Sequence, residues 1–380
     1  MRQISKILSE NLNNWYKSTD IPILISIFCL YFFSLILIKT SLSNTPLNSL
    51  SSNILLIKQS LFIILSIIIL ISFSNLHPES VVKISYIGLT INIILLLLAY
   101  LYGQESKGAK RWIHIMNISY QPSELIKPFF FIIIAKIMCF NQFTEKIKIL
   151  YSLGLFLIIS IFLILQPDFS MLVIIAGSFF VQILFSNIHY RYPLYFLLII
   201  FSIVIICFLT LPHLHNRIMN FLSSDPNKNY QISKSLAAFK KGGIYGLGPG
   251  EGTIKKYLPD AHTDFILSVA AEEFGLLAIF AIITIFIFII IRLLLFLAEE
   301  KQLNEFNIIA IIGIIANIAL QVIINISVTI NLIPTTGITL PFISYGGSSH
   351  LAMAISIAMI LSLKKKKISL TRYQAIKRPF

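Results

Sequence analysis

The sequence predicts an all-α, polytopic membrane protein with about ten transmembrane helices, and three observations carry that expectation. Of its 380 residues, 57% are hydrophobic and only 12% are charged, with a mean hydropathy of +0.86. That leaves too little polar surface for a soluble domain. The apolar residues gather into runs of about 20, the length that crosses a bilayer core while closing its own backbone hydrogen bonds. Alternating segments of about 10 residues, the mark of a membrane barrel, are absent.

The runs fall near residues 21–40, 54–73, 84–102, 125–140 and 147–165, then 169–184, 194–211, 265–296, 308–330 and 347–363. An even number puts both termini on one side. The tail, with Lys364 to Lys367, Arg372, Lys377 and Arg378, marks that side as cytoplasmic, and Arg2, Lys6 and Lys17 agree. The expected organisation is a single membrane domain over 1–380, with a cytoplasmic N-terminus (1–20), a large periplasmic loop between the seventh and eighth runs (212–264) and a basic cytoplasmic tail (364–380). No cleavable leader is expected, because the polar start leads straight into a full-length span. Cys29, Cys139 and Cys207 lie in apolar runs without paired spacing and read as core residues, not disulfides or metal ligands.

The net charge of +14 is concentrated unusually. With this topology the outer loops carry Lys107, Lys110, Arg111, Arg217, Lys228, Lys234, Lys240, Lys241, Lys255 and Lys256. That excess runs against the positive-inside tendency. Two readings stand: an anion held outside the membrane, or a long loop that translocates whatever its charge. Within the 212–264 loop, Leu236 to Phe239 after Tyr230 and Gln231 predict a short amphipathic helix on the membrane surface. Gly242, Gly243, Gly246, Gly248, Gly250 and Gly252 follow. They form either a flexible turn series or a set of backbone N–H groups open to an anion. No Gly-Lys-Ser/Thr follows, so the segment is not a Walker A loop.

Polar groups inside apolar runs are costly and invite a functional reading. Glu124 and Lys127 stand three apart, on one helical face, as a site or as a self-neutralising pair. Lys58 and Gln59 open the second run, where Lys58 is placed to snorkel outward. Asp168 reads as a helix N-cap. Asp264, in His262-Thr263-Asp264-Phe265 at the head of the eighth run, reads as either an N-cap or a reactive carboxylate. Glu272 and Glu273 lie about 12 to 14 Å further along that helix. Carboxylates so deep need a partner or a wet cavity, and the eighth run is expected to line one. Between residues 332 and 349, Pro334, Pro341, Gly337, Gly346 and Gly347 forbid a continuous helix. Irregular backbone at membrane depth survives only inside protein or against a cavity, and Ser344, Tyr345, Ser348 and Ser349 supply hydroxyls there.

These segments together resemble the SEDS family of membrane proteins, the group of FtsW, RodA and SpoVE. The matching residues begin with Gly108-Ala109 and Arg111-Trp112, then Gln121-Pro122-Ser123-Glu124 with Lys127. Gln166-Pro167-Asp168, Tyr230-Gln231 with Ser235, and the glycine series follow. Pro259 with residues 262–265, Glu272-Glu273 and the run Thr339 to Ser349 complete the likeness, which covers nearly the whole chain. Residues 250–253 and 258–261, with Thr339-Leu340-Pro341, look more like the FtsW branch than the RodA branch. Lys107 and Ser170 depart from the family pattern, at positions where asparagine and glycine are common.

The resemblance implies a peptidoglycan glycosyltransferase of the inner membrane and division septum that polymerises lipid II, with a flippase or a RodA-type elongation enzyme as alternatives. A non-catalytic division scaffold is a further one. It implies Asp264 as the general base, taking the proton of the acceptor hydroxyl. Arg111, Lys127, Lys240 and Lys241, or a divalent ion such as Mg or Mn, would steady the departing undecaprenyl pyrophosphate. Glu124, His262, Thr263, Ser344, Tyr345 and Ser348 complete the expected substrate site. The implied partners are lipid II, a class B penicillin-binding protein transpeptidase and other divisome proteins; no nucleic acid is expected.

Overall fold

Ten apolar helices and two shorter amphipathic ones account for most of the computed structural model, which describes residues 20–43, 49–106, 109–115, 118–223, 230–299 and 303–364. Arg2, Lys6, Lys17, Lys107, Gly108, Lys228 and the tail beyond Lys364 lie outside the described residues. The first three helices are α1 (Ile21–Leu42), α2 (Ser49–Ser74) and α3 (Pro78–Tyr102). A small antiparallel sheet follows, of β1 (Gln104–Ser106), β2 (Ala109–Ile115) and β3 (Ile118–Tyr120) in that order. Next come α4 (Pro122–Met138), α5 (Glu145–Leu165), α6 (Phe169–Leu184) and α7 (Arg191–Thr210). The long loop contains α8 (Pro212–Leu222), α9 (Tyr230–Gly242) and a 3-10 turn at Ile254–Tyr257. The chain closes with α10 (Ile266–Glu299), α11 (Glu305–Thr329) and α12 (Gly347–Leu363).

Among the described residues, seven helices are long and apolar enough to cross a membrane alone: α1, α2 from Asn53 onward, α3, α5, α7, α10 and α11. The other three, α4, α6 and α12, have 16 or 17 residues and span only about 25 Å. Two of these, α4 and α12, are buried along nearly their whole length. Outside them, α2, α3, α5 and α7 keep one apolar face exposed, as lipid-facing helices do. The core is therefore an inner group of short helices ringed by longer ones: α12 packs on α2 and α4, α11 on α6 and α4, α3 on α4, and α10 on α1. Four helices, α1, α3, α4 and α8, carry proline at one of their first two positions, where no backbone donor is lost.

Three features differ from the sequence-based expectation. The sheet was not expected; its strands of three to seven residues are too short to stand out between two membrane spans. In it Ile113 pairs with Tyr120 and His114 with Ser119, and β2 packs against α3. Second, α9, the short helix expected at the membrane surface, docks on protein. Its Ser235 hydroxyl donates to the Thr329 carbonyl (2.7 Å) and receives that of Ser268 (2.7 Å), burying Ile232 and Ala238 between them.

Third, α10 is broken at Gly275, whose φ of 74° lies in the left-handed region. A break frees backbone groups on either side, and the glycine loop meets them. Leu247 and Gly248 donate to the carbonyls of Glu272 and Glu273, both at 3.0 Å, while Leu276 and Leu277 donate back to Gly243 (3.0 Å) and Ile244 (3.3 Å). The backbones touch closely: a Cβ on Gly246 would stand 2.2 Å from the Glu273 carbonyl oxygen, and one on Gly275 2.2 Å from that of Ile244.

Candidate active site

The turn ahead of α10 is fixed through its carbonyls. Asp260, at φ 58°, turns the chain so that its own carbonyl accepts from the Thr263 and Phe265 amides at 3.1 and 3.3 Å. His262 O then accepts from the Tyr345 amide (2.8 Å), Thr263 O from the Ser344 hydroxyl (2.6 Å) and Asp264 O from Asn325 Nδ2 (2.9 Å). Buried Phe265 anchors the far side. Three consecutive carbonyls are thus held by α11 and by the irregular segment before α12. The Asp264 side chain is delivered to a cavity of about 500 Å³, beside Gly337, where a Cβ would come within 3.7 Å of Asp264 Oδ2.

That irregular segment is satisfied from within the protein, as membrane depth demands. Thr336 O accepts from Ser170 Oγ (2.5 Å), Ile338 O from Asn325 Nδ2 (2.7 Å), Thr339 O from Gln321 Nε2 (3.2 Å) and Ile343 O from Ser34 Oγ (2.7 Å). The Ser344 hydroxyl also receives the Leu340 amide (2.8 Å). Ser344 is therefore a buried brace outside the cavity lining, whereas Tyr345 and Ser348 line it. The T-shaped contact of His262 on Tyr345, with centroids 5.7 Å apart, forms part of the same wall.

Arg111 reaches the cavity from β2, tethered at its back. Its Nε donates to Gln166 O (2.9 Å), one terminal nitrogen donates to Pro167 O, and the other lies 3.8 Å from Asp168 Oδ1. Asp168 stands at the N-cap position of α6, but its side chain makes no capping bond. It turns instead to Ser123 Oγ (3.4 Å), Gln121 Nε2 (3.5 Å) and the guanidinium. A nearby cation outcompetes the helix end for the carboxylate.

Lys127 departs from its expected place. It is fully buried, donating to Glu124 (2.7 Å) and Gln321 Oε1 (3.0 Å), and it does not line the cavity, although Glu124 does. Lys240 and Lys241 are exposed on α9 and its end and also lie outside the lining; Lys241 donates to the Thr253 hydroxyl. The carboxylates of Glu272 and Glu273 find partners instead of a wet cavity. Glu272 accepts from the amides of Thr253 (2.7 Å), Ile254 (2.8 Å) and Lys255 (3.0 Å). Glu273 accepts from Lys255, whose buried ammonium also bonds Thr40 O (2.5 Å) and Ser43 Oγ (2.7 Å). Within the glycine series the Gly246 and Gly248 amides donate to backbone carbonyls, and the three amides just beyond it are taken by the Glu272 carboxylate.

The cavity gathers residues whose meeting the sequence did not disclose. Lys58 of α2, weighed as a snorkelling residue, lines it, as do His114, Asp260, Gln231 and Arg217. Arg217 comes from α8, 47 residues before Asp264 by numbering; no local spacing announces that approach. Partial burial, first, and then the nearby Arg111 guanidinium pull its pKa below the usual arginine value, while Asp168 and Asp264 oppose that shift and much of the side chain stays exposed. Among the described residues no three His, Cys, Asp or Glu side chains gather as a metal site. The divalent ion that the resemblance allows therefore finds no all-protein cage.

Fold and site together define a multi-pass membrane protein with three carboxylates, Glu124, Asp260 and Asp264, and several cations around a cavity walled by α2, β2, the turn before α10 and the irregular segment before α12. The chain belongs to the cell cycle protein family of FtsW, RodA and SpoVE, whose profile matches residues 21–369. It is 32% identical over 317 residues to the probable peptidoglycan glycosyltransferase FtsW of Caulobacter vibrioides, covering 82% of this chain and 80% of that protein. The protein of the same description from Nitrosomonas europaea is 35% identical over 288 residues, covering 73% and 74%. Rod shape determining protein RodA of Thermus thermophilus superposes with a TM-score of 0.67 at 21% identity, over 91% of this chain and 96% of that one. A chain of a peptidoglycan synthase complex that coordinates polymerization and crosslinking gives 0.75 at 20% identity, over 92% and 99%. These two likenesses establish the fold.

Proposed function

We propose that this protein is a peptidoglycan glycosyltransferase of the FtsW branch, polymerising lipid II for the septal cell wall. One observation carries the assignment of the site: the Asp264 carboxylate faces a cavity shared with Arg111 and Lys58, on a backbone fixed at three successive carbonyls. The 4-hydroxyl of the acceptor sugar attacks the anomeric carbon of the growing glycan. The bond from that carbon to the diphosphate breaks, its electron pair leaving with undecaprenyl pyrophosphate, and Asp264 takes the hydroxyl proton. Arg111, held by the 166–168 turn, steadies the leaving anion. The reaction face is periplasmic, both termini are cytoplasmic, and the partner is a single-pass class B penicillin-binding protein that cross-links the product.

A lipid flippase needs a polar path through the membrane. Of the charges that suggested one, Glu124, Lys127 and Glu272, only Glu124 lines the cavity, and it is paired with Lys127, while Glu272 is held by three loop amides outside the lining. That supports the transferase reading over transport. The test is reconstitution with lipid II on both leaflets, with and without the cognate transpeptidase. A transferase yields glycan polymer there; redistribution of monomer without polymer would instead mean a flippase.

A further inference from the structure

The cavity holds a cation that none of the roles above uses. Arg111 spends donors on two carbonyls and faces Asp168, and Lys127 is sealed against Glu124. Arg217 differs: it lines the same cavity, yet among the described residues it makes no hydrogen bond and no ion pair. It is exposed on α8 while lining the cavity. A guanidinium has five donors in a fixed fork suited to phosphate oxygens. Two guanidiniums sharing one cavity repel each other, a repulsion that Asp168 and Asp264 offset in part and that an anion with more than one negative charge relieves further.

We propose that Arg217 is a second anion-binding residue, which together with Arg111 makes the cavity selective for a diphosphate over a monophosphate. The ligand class is a diphosphate ester of a polyprenyl chain. The transferase reading gives that ligand its place in the reaction, and in this alone the inference rests on that reading. Arg111, tethered from behind, presents one fixed face. Arg217, with its donors uncommitted, closes on the outer phosphate. One arginine suffices for a monophosphate; the second adds charge-assisted hydrogen bonds that only a second phosphate accepts.

Trp112 lines the cavity and supplies an intrinsic reporter. Its fluorescence in the full-length, detergent-solubilised protein is titrated with farnesyl pyrophosphate and, separately, farnesyl phosphate. The native protein should bind the diphosphate more tightly by about tenfold, the size of one charge-assisted interaction. Arg217→Ala should bring the two affinities together, and Arg217→Lys should restore part of the preference as a point charge. All three proteins should unfold at the same temperature, because the side chain is exposed and without a partner among the described residues. A preference that survives Arg217→Ala, or a native protein that binds both esters equally, overturns the inference. Polymer assays run beside it judge the transferase reading separately: a native protein that prefers the diphosphate but makes no glycan would sink that reading and leave Arg217 in place.

Discussion

Two acidic sites share α10 and its approach, and they are built in opposite ways. Asp264 has its backbone fixed at successive carbonyls while its carboxylate looks into a cavity. Glu272 and Glu273, eight and nine residues further on, are closed off by loop amides and by the buried Lys255 ammonium. A charge inside a membrane protein is tolerated when partnered or hydrated, and here one helix and the turn before it contain both solutions. The partnered pair fixes where the loop runs, and the loop leads through residues 254–257 into the turn that presents Asp264. The sealed site is the foundation for the open one.

Neutralising the open site should have the largest effect. Asp264→Asn is expected to lower the polymerisation rate by about a thousandfold, the scale of a lost general base, with the unfolding temperature unchanged. Polymer made at near-normal rates by the purified variant would remove Asp264 from the role. The sealed site should fail by stability instead. Lys255→Ala leaves Glu273 buried without its counter-ion and should cost about 3–5 kcal/mol, read from denaturant unfolding in detergent. A loss below about 1 kcal/mol would mean that water reaches Glu273 and that the two sites are less different than their geometry implies. Next in size is Gly246→Ala, where φ is 81° and the new methyl would meet the Glu273 carbonyl. Strain of about 1–3 kcal/mol is expected, visible as faster hydrogen exchange at residues 247 and 248. Smallest are Lys240→Ala and Lys241→Ala, each within about 0.5 kcal/mol of the native stability. A tenfold loss of turnover in either would place the α9 cations at the substrate after all.

What the sequence discloses follows from range. The ten apolar runs depend on composition over about 20 residues, and they reappear as helices. The head of α10 and the irregular segment before α12 are also local patterns: a charged cluster against an apolar run, and prolines with glycines inside one. The partners of Glu272 and Glu273 are not local. Depth demanded either a companion or water, and choosing required the path of a glycine loop that returns Lys255 to the helix 18 positions later in number. Lys127 posed the same choice, settled by Gln321 from a distant helix. The entry of Arg217 into the cavity depends on the placement of α8, whose apolar content is too low to be read as a span.

The break at Gly275 and the loop from Gly243 to Gly248 complete each other's backbone hydrogen bonds in both directions. Neither half is therefore a transferable part. A designer who grafted the loop onto an unbroken helix would bring in amides with no acceptor, and one who copied only the kink would leave carbonyls facing hydrocarbon. The pair has to be inherited, or engineered, as one piece.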